Sequence, residues 1–443
     1  MPPSNHNSGA AAPCPEPSSV ANQRKRRWLV YFVTVLGLLG SLLYIGWQRG
    51  YETLPWGEEP AIALHLARGH GYRSPIDTSP ASPPTAWSPP VYPYLMAGVY
   101  RLLGIESLAS RWTLLALHAL SLSLAAGALT ALAARHTHLW VAAMAGVLLL
   151  LQPVFLVHLL FYWDTLPALA MFLGLLLLVD SLLHRPLGTG HALLLGGGLG
   201  VLALTNPSYV LSYPLLVALP LWRRNWSQRL RFSAITLASF ALVLLPWTIR
   251  NLHVFGQLMF VRAGAAVELR MGNVSGSNGL TLSVMRYHPF VDATERARIA
   301  ALGETDYFKD CRRRFAQDYN TAPAAFWLRS FKRAVFLLVG NPREPEPAPL
   351  MPAWRWRGLT IGQLGFHVIL AAAALLGVLA AWQRMILWPL WAGAMAIAPF
   401  LFTHVHERYA LPLRAILLLY VAMALGRLAC GLAGKPAPLK VPI

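Results

Sequence analysis

The chain has 443 residues, of which 56% are hydrophobic and only 12% charged, with a formal net charge of +19 at pH 7 and a mean hydropathy of +0.47. So much apolar side chain excludes a globular domain that faces water all round, and makes a bilayer the main solvent. The positive charge does not imply nucleic acid, because Lys and Arg gather in short loops beside apolar runs, where they set membrane orientation.

Met1 to about Gln23 is rich in Pro, Ser, Ala and Asn and has no apolar periodicity. With Arg24-Lys25-Arg26-Arg27 it reads as a disordered, basic cytoplasmic tail over 1–27. The apolar run from Trp28 to about Gln48 is too long for a signal-peptide core and lacks a small-residue cleavage site, so a retained anchor with its N-terminus inside is expected. A helix needs about 20 apolar residues to cross roughly 30 Å of hydrocarbon. That rule places further spans at 111–134, 138–157, 163–183, 190–206, 208–222, 234–250, 360–382, 386–402 and 409–430, so the fold expected is an all-α polytopic membrane protein with about ten transmembrane helices. Asn206-Pro207-Ser208 marks either a boundary between two spans or a kink in one. From an inside N-terminus, this order puts Arg135, His184-Arg185, the run Arg223 to Arg231 and the tail 431–443 in the cytoplasm, as the positive-inside rule requires.

Outside are a first loop over 49–110, a turn at Trp163-Asp164 and a segment over 251–358. The modules expected are therefore 28–250, carrying that loop, then 251–358 and the C-terminal transmembrane helices over 359–430. In the first loop a helical stretch is expected from Ala61 to Arg68, and Val91 to Leu103, led by Pro89-Pro90, reads as a juxtamembrane helix at the outer interface. The segment 251–358 is thin in apolar periodicity, but Pro323 to Phe336 reads as an amphipathic surface helix with Arg329, Lys332 and Arg333 towards water. Of the three cysteines, Cys14, Cys311 and Cys430, only Cys311 lies outside, so no intramolecular disulfide is expected.

Glu58 and Glu59 open the helical stretch of the first loop, where the helix dipole favours ionised carboxylates; helix-start stabilisation alone explains them equally well. Asp164 lies between two apolar runs at a membrane boundary, a costly place unless it is paired, hydrated or used. His404-Val405-His406-Glu407 is a poor metal motif, since histidines at i and i+2 diverge on a helix; a polar helix-entry loop is the simpler reading, and no metal or cofactor is expected. Most tryptophans sit at span ends, as in an aromatic belt; Trp87 and Tyr92 are placed for an acceptor.

A set of motifs in order carries a resemblance. Ala63-Leu64-His65-Leu66-Ala67-Arg68-Gly69-His70-Gly71-Tyr72, Pro84 to Leu95 and Arg101-Leu102-Leu103-Gly104 lie in the first loop. Leu151-Gln152-Pro153, Tyr162-Trp163-Asp164-Thr165 and Leu202 to Pro207 follow, then Pro246 to Asn251, Phe255-Gly256, Gly272-Asn273, Leu302-Gly303-Glu304 and Arg408 to Pro412. From about Trp28 to Cys430 the chain resembles bacterial C-type glycosyltransferases of the family 39 kind, the group of protein O-mannosyltransferases and the lipid A aminoarabinose transferase. The resemblance implies a sugar donor on a polyprenyl phosphate, an acidic base in the first outer loop matched best by Glu58 with Glu59 as the fallback, and a second acidic position matched by Asp164. This chain departs from the many members that have Asp with a nearby aromatic residue, having a Glu pair between Gly57 and Pro60. Arg408, with Tyr409, is the preferred phosphate clamp, and Arg250, Arg262 and Arg270 are further cations; Asn273 joins the expected substrate contacts.

The expected function is an inverting glycosyl transfer from that lipid carrier to a glycan, lipid or protein acceptor, outside a bacterial inner membrane. A lipid-linked glycan transporter is the second class, disfavoured by spans nearly free of charge. A glycan polymerase or ligase is the third.

Overall fold

The computed structural model describes residues 20–77, 79–339, 368, 371–376, 378 and 387–432. The expected N-terminal tail up to 19, most of the expected span 360–382 and the C-terminal tail from 433 lie outside the described residues. Helices account for nearly all regular structure: α1 (Val20–Gln48), α2 (Glu58–Ala67), α3 (Val91–Leu103), α4 (Leu108–His136), α5 (Leu139–Leu151), α6 (Pro153–His158), α7 (Thr165–Leu183), α8 (Thr189–Thr205), α9 (Tyr213–Ala218), α10 (Trp226–Phe255), α11 (Ala265–Asn273), α12 (Thr281–Met285), α13 (Ala293–Leu302), α14 (Glu304–Thr321), α15 (Pro323–Val339), α16 (Trp388–Ile397) and α17 (Leu411–Leu432). Among the described residues five helices are long and apolar enough to cross a membrane, at Asn22–Gln48, Leu108–His136, Thr165–Leu183, Trp226–Phe255 and Glu407–Ala429; four shorter apolar stretches, Leu139–Leu151, Thr189–Thr205, Pro207–Leu221 and Trp388–Leu401, accompany them. The polytopic all-α class read from the sequence is the class found.

Local chemistry sets the boundaries. Ser107 caps α4 by accepting from the Ser110 amide, and Asn225 caps α10 by accepting from the Gln228 amide. The helix α10 then runs on past its apolar stretch to Gly256, which closes it in the left-handed conformation at φ 62°. One reading needs correction here, and one open alternative is decided. The span expected over 138–157 is broken at Gln152-Pro153 into α5 and α6, because proline cannot continue the ladder of α5. At Asn206 the backbone is extended, so the Asn-Pro site is a true boundary; the Asn206 side chain caps the 3-10 turn Pro207–Ser212 instead.

The helices pack in a bundle in which α1 and α7 flank α4, α5 packs on α4 and α17, and α8 lies along α10. Small residues bring the last pair close. A Cβ at Gly196 would fall 2.1 Å from the Thr236 carbonyl oxygen, so glycine is required where α8 meets the α10 backbone.

The two ends of the bundle differ in chemistry. At one end Arg135 and His136 both reach the fully buried Asp180 at 2.8 Å, Arg224 donates to the Arg185 carbonyl at 2.6 Å and Arg231 to Thr189 Oγ1 at 3.2 Å. Asp180 is a buried charge inside a span that the sequence reading passed over. At the other end lie the first loop, Asp164 and the segment that follows α10. This segment is better structured than its weak periodicity suggests. Val267 and Met271 of α11, Ile299 of α13 and Tyr307, Phe308 and Cys311 of α14 form a core of their own, and Trp87 from the first loop is part of it. The juxtamembrane helix is present as α3, and α15 carries the expected amphipathic stretch. Arg333 is a correction: it is fully buried and donates to the carbonyls of Gly272 and Leu401 instead of facing water.

Candidate active site

Gly57, at φ 124°, turns the chain sharply into α2, so that Glu58 and Glu59 are its first residues. Glu58 is held by three donors. Trp87 Nε1 donates to its Oε1 at 2.6 Å, Ser88 Oγ to its Oε2 at 3.1 Å, and His288 Nε2 lies 3.3 Å from Oε1. The Phe290 amide donates to His288 Nδ1 at 3.1 Å, which leaves Nε2 to carry the proton and face the carboxylate. Burial would raise the Glu58 carboxyl, but the hydrogen bond from His288, with the Arg262 charge beside it, outweighs burial and holds the group below its ordinary value.

Glu59 behaves differently. Burial first, then the charges of Asp164 and Glu58, push its carboxyl up to about 8, against the pull of Arg408. The helix dipole therefore does not decide its state, contrary to the expectation for a carboxylate at a helix start. Asp164 immediately precedes α7 and is 7% exposed. Burial raises it to about 6, opposed by Arg408, Arg262 and a hydrogen bond with the Asn206 side chain. Glu58, Glu59 and Asp164 thus lie within electrostatic reach of one another although 105 residues separate Glu59 from Asp164.

Arg408 enters this group from the 3-10 turn Glu407–Ala410 that leads into α17. Its guanidinium lies 4.4 Å over the Trp163 ring and 5.2 Å from the Tyr409 ring, which fixes the cation beside Asp164. Tyr409 stacks on Phe400 at 3.8 Å, and its hydroxyl is 3.2 Å from His404 Nε2. His404 Nδ1 in turn meets Glu268 of α11 at 3.0 Å. Burial raises the Glu268 carboxyl, yet the His404 charge and contact, with Arg262 and His288, bring it down to about 2.

Four residues expected at the substrate are spent on framing this site. Trp87 is 2% exposed and its indole nitrogen goes to Glu58. Tyr92 is 1% exposed, with its hydroxyl 2.7 Å from His118 Nε2. Arg250 donates to the Thr85 carbonyl at 2.7 Å and the Tyr72 carbonyl at 3.2 Å, tying the first loop to α10. Asn273 is buried and donates to the Leu269 and Phe402 carbonyls, each at 2.7 Å. Arg262 faces the carboxylates, whereas Arg270 lies near Glu295 on the α11 side. Glu268 and His288 were not singled out by the sequence, and Glu304 entered only as the end of the Leu302-Gly303-Glu304 match, with no role attached. Only the packing of α11 to α14 on the first loop brings them here.

The molecule is thus a polytopic helical membrane protein with three carboxylates and an arginine gathered at the end of the bundle opposite its basic loops. Its fold is that of solved oligosaccharyltransferases. The Archaeoglobus fulgidus oligosaccharyltransferase AglB, in complex with an inhibitory peptide and a dolichol-phosphate, matches at TM-score 0.52 and 15% identity over 94% of this chain and 53% of that one. An Archaeoglobus fulgidus oligosaccharyltransferase in complex with Zn and sulfate matches at TM-score 0.53 and 16% identity, over 91% and 50%. ArnT from Cupriavidus metallidurans bound to undecaprenyl phosphate matches at TM-score 0.42 and 16% identity, over 91% and 79%. The chain spans about half the length of the Archaeoglobus fulgidus structures it matches. No family model and no curated protein sequence matches it. The likeness in fold to an oligosaccharyltransferase agrees with the resemblance to C-type glycosyltransferases drawn from the motifs.

Proposed function

We propose that the protein is a membrane glycosyltransferase that takes a sugar from a polyprenyl-phosphate carrier and passes it, with inversion, to an acceptor hydroxyl outside a bacterial inner membrane. The observation that carries the reading is the meeting of Glu58, Glu59 and Asp164 with Arg408 at one end of the bundle. The positive-inside rule supports an outer position for that end, because Arg135, Arg185 and Arg224 to Arg231 lie at the other.

Glu58 is the base. An ionised carboxylate has about four acceptor sites. Trp87 and His288 occupy those of Oε1 and Ser88 one of Oε2, which leaves Oε2 one lone pair for the acceptor hydroxyl. Its lowered pKa keeps it ionised at neutral pH. As the acceptor oxygen attacks the anomeric carbon, its proton passes to Glu58, and the bond from that carbon to the phosphate oxygen breaks with its electron pair. Arg408 and Arg262 face the charge that develops on the leaving phosphate, so no general acid is needed. Glu59 and Asp164, pushed up to about 8 and about 6, hold one proton between them at neutral pH and orient the acceptor.

The test is release of polyprenyl phosphate by the protein in lipid nanodiscs, offered a panel of polyprenyl-phosphate sugars and the glycans, lipids and proteins of an envelope extract. Glu58→Gln is expected to slow transfer by roughly 10² to 10⁴-fold. Full transfer by both Glu58→Gln and Asp164→Asn would overturn the assignment.

A further inference from the structure

One buried carboxylate close to the site takes no part in this chemistry. Glu304 is the first residue of α14 and is 8% exposed. The left-handed turn at Gly303, φ 75°, ends α13 and aims Glu304 back at the first loop, 218 residues earlier in the chain at Ala86. There the Ala86 amide donates to Oε1 at 2.6 Å, and the Thr85 hydroxyl donates to Oε2 at 2.5 Å. Thr85 Oγ1 also accepts from the Trp87 amide at 3.0 Å, which commits its hydroxyl proton to Glu304. Arg250 holds the same peptide from its other side through the Thr85 carbonyl. The next side chain along is Trp87, whose indole nitrogen donates to Glu58.

We infer that Glu304 is a positioning residue, which clamps the Thr85-Ala86 peptide so that Trp87 presents its indole N–H to Glu58; as a role in catalysis this rests on the transferase reading above. The geometry requires both Glu304 oxygens to accept. A glutamine keeps the shape but places an NH₂ against an oxygen that already accepts from Trp87, so one contact is reversed while the packing stays. The clamp has a sign with pH. Burial, and the charge of Glu58 on α2, push the carboxyl up to about 7 against the hydrogen bonds of Thr85 and Ala86 and the Arg250 guanidinium on α10. The neighbouring Tyr72 hydroxyl of the first loop also faces this charge. The clamp is therefore tightest above neutral pH and loosens as the carboxyl gains a proton.

Two measurements on the full chain in nanodiscs test this. Amide hydrogen exchange is read at Ala86 and Trp87, and steady-state kinetics with the lipid donor are read in parallel. In Glu304→Gln the protection of the two amides, corrected for intrinsic exchange, should fall by about tenfold or more, matching the loss of about one charge-assisted hydrogen bond. Wild-type protection should decline between about pH 8 and about pH 6, and the variant should lack that decline. In the kinetics, kcat should fall while KM for the donor holds. Thr85→Val should reproduce both effects, Thr85→Ser should restore them, and Glu304→Gln with Thr85→Val should be no worse than either alone. Unchanged amide protection in Glu304→Gln, or additive effects of the two substitutions, would overturn the clamp. The exchange arm does not depend on turnover, so absence of transfer by the wild-type protein would defeat the transferase reading and leave the clamp standing.

Discussion

Asp164 offers a prediction in which structure sets both sign and size. Its carboxyl is moved from an ordinary 3.8 to about 6, chiefly by burial, after the attraction of Arg408 and Arg262 is counted. At ~1.4 kcal/mol per tenfold change in acidity, keeping it ionised costs the folded protein roughly 3 kcal/mol. Below pH 3.8 the group is protonated folded or unfolded and the cost vanishes; it grows as pH rises and is complete above about 6. Asp164→Asn keeps the shape and an acceptor for Asn206, and it removes the ionised form. The variant should therefore be more stable than the wild type at pH 7, by up to roughly 3 kcal/mol, and the advantage should shrink towards pH 4. Thermal unfolding in detergent, followed by tryptophan fluorescence across that range, measures it, while transfer activity should be lost. A variant that melts lower than the wild type at pH 7, or an advantage independent of pH, would show that Asp164 is a stabilising ion-pair partner and not a strained functional group.

Other expectations follow from single contacts. A Cβ at Gly272 would fall 1.7 Å from the Thr403 carbonyl oxygen, so Gly272→Ala should destabilise by about 3 kcal/mol or more and abolish a monodisperse peak in size-exclusion chromatography. Arg250→Lys loses the paired contacts to the Tyr72 and Thr85 carbonyls, a loss of roughly 1.5 to 3 kcal/mol, and should speed limited proteolysis of the first loop several-fold. Asp180→Asn weakens the hold on Arg135 and His136 at the basic end; it should lower thermal stability and leave KM for the lipid donor unchanged. A cysteine in place of the exposed Ala81 should react with an impermeant maleimide added to intact cells, and one in place of His184 only after permeabilisation; the reverse pattern refutes the assigned sidedness.

The membrane-spanning part of this fold was legible because burial in lipid writes itself into long apolar runs. Helices α4 and α7 lie within a few residues of the expected spans, and α3 occupies the stretch read as an interfacial helix, Val91 to Leu103. Helix α10 was read short, at 234–250, because its apolar run lies between Arg231 and Arg250, whereas the helix is delimited by the caps at Asn225 and Gly256. The outer segment was less readable. Its core is made by several helices that each contribute one to three residues, and Trp87 from a distant loop completes it. No window of the sequence contains that pattern. The same reason hides His288 and Glu268, whose partners Glu58 and His404 are 230 and 136 residues away. Glu58, Glu59 and Asp164 were visible because each is an acidic residue beside an apolar run. Trp87, Tyr92, Arg250 and Asn273, expected at the substrate, each have a partner within the chain that the sequence did not announce, because a side chain's type tells what it can bind and not which partner reaches it first.

The cluster around Glu58 is drawn from α2, the Trp163-Asp164 turn, α11, the His288 turn and the 3-10 turn before α17. During synthesis the first carboxylates emerge more than 340 residues before Arg408. Until that last arginine is delivered, Glu59 and Asp164 face one another without their main counter-charge. On the proposed transferase reading, a ribosome-bound intermediate therefore lacks the cation that faces the leaving phosphate until the turn before α17 has been made. Truncation anywhere ahead of residue 404 would yield a chain whose earlier helices can still insert but whose carboxylates never acquire that arginine.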